Sequence, residues 1–131
     1  MTLALPAAAA TGSIRTLLRF EGLSLLAFAV AIYFIFGGNP WLFALSFFAP
    51  DLSFIAYRFG PRAGAIAYNA VHSYPLPLLL AGLGWLSGTP LLWQIALILA
   101  AHIGLDRSLG YGLKFAASFN QTHLGPVGKK A

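Results

Sequence analysis

Six side chains that can bind metals or move protons lie along a chain that is otherwise oily. The acidic residues number three, Glu21, Asp51 and Asp106, and so do the histidines, His72, His102 and His123. All the carboxylates and two of the imidazoles fall within or at the edge of long apolar runs, where solubility does not call for them. An aspartate at the centre of a membrane helix costs about 2.5–3.5 kcal/mol on insertion scales, and such residues turn toward a bundle interior or a wet cavity. His102 and Asp106 are four residues apart, so on a helix they share a face and can share a metal, a proton or a hydrogen bond. Tyr68 and Asn69 precede His72 by four and three residues, and Arg107 follows Asp106. These three are expected to brace the site from behind. Imidazoles and carboxylates without a thiolate suit a divalent metal such as zinc, iron or manganese. The expected ligands are His72, His102 and Asp106, with His123 reaching back from the tail to close the site. Asp51 or Glu21 then serves as general base or proton carrier. The absence of cysteine excludes disulfide frameworks, iron–sulfur clusters and cysteine nucleophiles together. No HExxH zinc motif, GxSxG nucleophile elbow or phosphate-binding loop occurs.

The elements that must hold these groups are membrane spans. Of 131 residues, 59% are hydrophobic and 8% charged, against about 25% charged in an ordinary soluble domain. That balance excludes both a dispersed globular surface and a disordered chain. Four apolar blocks of span length, residues 20–36, 41–59, 63–86 and 91–110, are separated by Gly37-Gly38-Asn39-Pro40, Gly60-Pro61-Arg62 and Ser87-Gly88-Thr89-Pro90. The eight basic residues lie before the first block, around the second junction and at or beyond the end of the fourth, and the other two junctions have none. The expected fold is therefore an all-α, four-helix transmembrane bundle with both termini cytoplasmic, in a bacterial inner membrane. Residues 1–19 are expected to form an interfacial or disordered arm, residues 20–115 the membrane domain and residues 116–131 a cytoplasmic tail. Trp41, Trp85 and Trp93 fall near the uncharged junctions, as indoles at an outer interface should. The net charge of +5 reflects this topology and not a nucleic-acid face, because the basic residues come in ones and twos. At about 1.5 Å per residue, Asp51, His72 and His102 fall in one layer of the inner half of the membrane, with Asp106 and Glu21 nearer its inner face. Pro50 beside Asp51, and Pro75 and Pro77 after His72, are expected to bend or open both helices next to their polar residues.

The segments Arg19-Phe-Glu21-Gly22-Leu23, Phe48-Ala-Pro50-Asp51-Leu-Ser53, Tyr68-Asn69-Ala-Val-His72-Ser73-Tyr74, Ala101-His102-Ile-Gly104-Leu-Asp106-Arg107 and Thr122-His123-Leu124-Gly125 together resemble a family of small bacterial integral membrane proteins of unknown function. The resemblance covers roughly residues 19–128 and implies no activity. It implies that the titratable residues lie in the segments by which that family is recognised.

Three function classes remain open on sequence. The first is a metal-dependent enzyme, hydrolase or oxygenase, acting on a lipid-soluble substrate at the inner leaflet. The second is a small proton-coupled carrier or proton relay built from Asp51, His72, His102 and Asp106. The third is an accessory subunit, a homo-oligomer or part of a larger membrane complex, docked through its aromatic-rich faces.

Overall fold

The computed structural model of the chain describes residues 9–115 and 121–126. It is all-helical apart from one very short hairpin, and its helices form a bundle. Helix α1, Gly12–Ile35, spans 24 residues, about 36 Å of rise. It starts eight residues before the expected block, so the segment expected to be an arm up to residue 19 is helical from Gly12 onward. Helix α2, Pro40–Ser46, opens on a strong N-terminal signal: the Asn39 side chain accepts from the Trp41 and Leu42 amides and Pro40 occupies the first turn. The chain then tightens into a 3₁₀ segment, Ala49–Phe59, far longer than the three or four residues such geometry usually sustains. Pro50 stands at its start, where its missing amide removes an α-helical hydrogen bond.

The third expected block is likewise interrupted. Helix α3, Pro61–Val71, ends at His72, and α4, Pro75–Ser87, begins three residues later at a proline. Helix α5, Pro90–Leu109, is unbroken and ends on Gly110 in the left-handed region, with φ of 93°. Strands β1, Gln121–Thr122, and β2, Gly125–Pro126, pair antiparallel.

Helix α5 is the axis of the molecule, because both α1 and α4 pack on it, while the 3₁₀ segment packs against α3. The α1–α5 contact is antiparallel and backbone to backbone. A methyl group on Gly22 would overlap the Arg107 Cβ and the Gly104 carbonyl, and one on Gly104 would overlap the Gly22 carbonyl and the Leu26 amide. Hydrogen bonds fasten both ends of this pair. At one end the Tyr33 hydroxyl lies 2.6 Å from the Asn39 carbonyl, and Gln94 Oε1 accepts from the Asn39 amide at 3.0 Å. At the other, Arg19 Nε donates to the Ser108 carbonyl at 2.9 Å and Arg15 Nε to the Leu124 carbonyl at 2.6 Å. Cations there also meet the negative end of the α5 dipole.

The burial pattern is inverted relative to a soluble domain. His72, His102, Arg107, Lys114 and Thr122 are buried, whereas Phe36, Leu45, Leu52, Trp85 and Leu86 are each more than two-thirds exposed. Helix α1 and the run Pro40–Phe59 are each long and apolar enough to cross a membrane. The close α1–α5 approach makes a prediction. Gly104→Ala should lower the thermal midpoint of the detergent-solubilised protein, at a cost of about 1–3 kcal/mol. Gly82→Ala, where an added methyl meets open space, should leave the midpoint unchanged or raise it. Equal effects of the two would contradict the glycine contact.

Candidate metal centre

Three separate stretches of chain bring four side chains to one point. Asp51 comes from the first turn of the 3₁₀ segment, His72 caps the end of α3, and His102 and Asp106 share one face of α5. His72 Nε2 lies 3.2 Å from Asp51 Oδ1, 3.2 Å from His102 Nε2 and 3.4 Å from Asp106 Oδ2. His102 Nε2 lies 3.1 Å from Asp51 Oδ1 and 3.3 Å from Asp106 Oδ2. All four ligand atoms fall within 4.8 Å of one another.

These separations have the size of edges in a coordination polyhedron. Nitrogen and oxygen donors spaced in this way could hold a divalent ion such as zinc, iron or manganese.

Proton placement points the same way. His72 Nδ1 lies 2.8 Å from the Tyr68 carbonyl, which can only accept, so Nδ1 carries a hydrogen. In the neutral ring, Nε2 then turns a lone pair toward two carboxylate oxygens and a second imidazole nitrogen. That is the second-shell pattern by which proteins orient a metal-binding histidine. His102 Nδ1 is buried and has no hydrogen-bond partner among the described residues. The Phe47 and Phe48 rings make T-shaped contacts with this imidazole, with ring centroids at 5.5 and 6.0 Å.

The wall behind the cluster is aromatic and cationic. Tyr68 stacks on His72 with ring centroids 3.7 Å apart, and its hydroxyl makes a long 3.5 Å contact to Asp106 Oδ2. Arg107 Nη2 donates to the His72 carbonyl at 2.9 Å, which satisfies an acceptor left free where α3 stops. Asn69 clasps the Lys114 backbone, donating to its carbonyl at 2.8 Å and accepting from its amide at 2.7 Å. Lys114 Nζ in turn stands over the Tyr68 ring at 5.0 Å.

The cluster differs from the expected one in two places. Asp51, expected as a base, stands among the potential ligands. His123, expected as a ligand, is not in the cluster: its Nδ1 accepts from the Leu113 amide at 2.8 Å. Glu21 is also outside the group and lines a separate cavity with Tyr74, Arg107 and His123. Phe47, Phe48 and Lys114 received no role from the sequence, where aromatic positions in a span read as lipid contacts and a basic residue after the last span reads as topology.

Residues 15–127 match the family model of a domain of unknown function, DUF4260. The chain belongs to this family. Its matched segment contains all four clustered residues and the docked hairpin. Neither a curated protein nor a solved structure matches the chain.

His123 gives a test of the docked hairpin. Burial, with Arg107 nearby, holds its pKa below the ordinary histidine value. The unfolded or undocked ring protonates first, at about pH 6.5, and the docked ring only at lower pH. Docking is therefore fully supported above about pH 6.5 and weakens as pH falls from there through the lower docked pKa. Limited proteolysis after α5 should accelerate over that range in the wild-type protein. His123→Gln should flatten the dependence, and an unchanged acid sensitivity in that variant would contradict the assignment.

Proposed function

We propose that this protein is a four-crossing inner-membrane protein, with both termini cytoplasmic, that binds one divalent metal through Asp51, His72, His102 and Asp106. In this reading it uses the metal on a lipid-soluble substrate at the inner leaflet. The crossings are α1, α2 with the 3₁₀ segment, α3 with α4, and α5. The single observation that carries the metal assignment is the set of five nitrogen–oxygen and nitrogen–nitrogen separations of 3.1–3.4 Å around one point.

Charge supports a divalent ion in particular. Two carboxylates and two neutral imidazoles sum to two negative charges, which such an ion cancels in a medium where uncompensated charge is costly. Protonating both imidazoles instead would place two N–H groups face to face across 3.2 Å. When bound, the ion supplies Lewis acidity for hydrolysis, or redox chemistry if it is iron. Access favours an exchangeable ligand on one side. The Asp51 side chain is 38% exposed, Asp106 14% and the imidazoles essentially buried, so a substrate would approach past Asp51. Tyr68 and Arg107 hold the His72 ring and the end of α3 in place, and the Tyr68 hydroxyl also reaches Asp106.

A proton path across the whole membrane is less well supported. Residues 22–50 and 73–101 contain no Asp, Glu, His, Lys or Arg, so no such group in those runs extends the cluster toward the outer face.

Metal analysis of the purified protein after growth in metal-supplemented medium tests the proposal. Wild type should carry about one equivalent of zinc, iron or manganese. His72→Ala, His102→Ala, Asp51→Asn and Asp106→Asn should each weaken retention at least about 100-fold, beyond the 10–100-fold typical of residues behind the ligands. Glu21→Gln and His123→Ala should retain the metal. A folded wild-type protein that takes up no metal would overturn the proposal.

A further inference from the structure

Helices α1 and α4 both rest on α5, and a groove runs between them. Three cavities follow one another along it. The first, about 310 Å³, is polar, with Glu21, Tyr74, Arg107 and His123 in its lining beside Leu18 and Leu25. The second, about 450 Å³, shares Leu25 and Tyr74 with the first and is otherwise apolar, with Ala29, Ala96 and Ala100 among its lining residues. The third, about 320 Å³, shares Ala81 and Leu97 with the second and reaches Phe36, Trp85 and Trp93. From Leu25 to Phe36, helix α1 rises about 17 Å. None of the four clustered residues lines any of the three cavities.

We propose that this groove binds a neutral single-chain lipid of the monoacylglycerol type, with its hydroxylated head among Glu21, Tyr74, Arg107 and His123 and its acyl chain along α1 and α4. The polar end balances one carboxylate against one guanidinium. An anionic head would be set beside Glu21 and a cationic one beside Arg107. A polyol meets both, because each hydroxyl donates and accepts. Two of the Arg107 N–H groups are already committed to the His72 and Tyr111 carbonyls, which leaves fewer donors for an anion to claim. The His123 Nδ1 atom accepts from Leu113, so Nε2 carries the hydrogen of the neutral ring and is a further donor at this end. Beyond Tyr74 the lining is apolar apart from the indoles of Trp85 and Trp93, and small residues there leave depth for a chain. The cavities lie in single file, which fits one chain, and their apolar length matches roughly fourteen extended carbons.

Competition against radiolabelled 1-monopalmitoylglycerol on the purified full chain in detergent tests this, with palmitoyl lysophosphatidic acid and palmitate as the anionic probes. Wild type should prefer the neutral lipid by at least about tenfold. Glu21→Gln, a change at an exposed position, should shrink that preference about tenfold by removing the repelling carboxylate. Ala81→Trp should abolish binding of the palmitoyl chain by filling the groove midway. Equal binding of all three lipids by wild type, a preference unchanged in Glu21→Gln, or no binding of the neutral lipid above the detergent background would overturn the proposal. The Glu21→Gln comparison decides even if Ala81→Trp fails to fold.

Discussion

Two carboxylates and two imidazoles converge on one point in an otherwise apolar molecule, an arrangement that could hold a metal ion. Two carboxylate charges within 4.8 Å of each other repel. The His72 ring, its Nδ1 hydrogen committed to the Tyr68 carbonyl, adds a lone pair to the same point. A divalent cation held there would turn these mutual repulsions into four attractions. The rest of the architecture makes sense as the means of holding that geometry.

Several otherwise costly features of the chain serve the cluster. The break between α3 and α4 sacrifices helical hydrogen bonds, yet it places His72 where its ring meets α5, and Arg107 recovers the freed carbonyl. The 3₁₀ stretch of Ala49–Phe59 sacrifices α-helical geometry and brings Asp51 to the same point. The 3₁₀ segment and α3 pack on each other, and α1 and α4 pack on α5. The cluster joins these two groups of helices, so an ion bound there would act as a cross-link between them as well as a chemical centre.

Much of this could be read from residue order. The four apolar blocks, the shared face of His102 and Asp106, and the interruptions beside Pro50 and Pro75 all follow from local rules of helix periodicity and proline sterics. The inverted distribution of polar and apolar residues follows from composition. What local rules could not provide is pairing between distant segments. Asp51 reads as a free base until the 3₁₀ turn swings it against residues 21 and 51 positions further along the chain. His123 reads as a free imidazole until its Nδ1 is seen bonded to the Leu113 amide. The start of α1 at Gly12 was hidden for a related reason: Arg15 and Arg19 look like the polar flank of a span, but they bond to carbonyls of Leu124 and Ser108 and lie within the helix.

X-ray absorption at the edge of the retained metal tests the central claim most directly. The account predicts a first shell of four to six nitrogen and oxygen atoms at about 2.0–2.2 Å, the outer-shell signature of two imidazoles, and loss of one imidazole contribution in His102→Ala. A shell showing no imidazole, or a spectrum identical in wild type and His102→Ala, would mean that the four side chains do not share an ion.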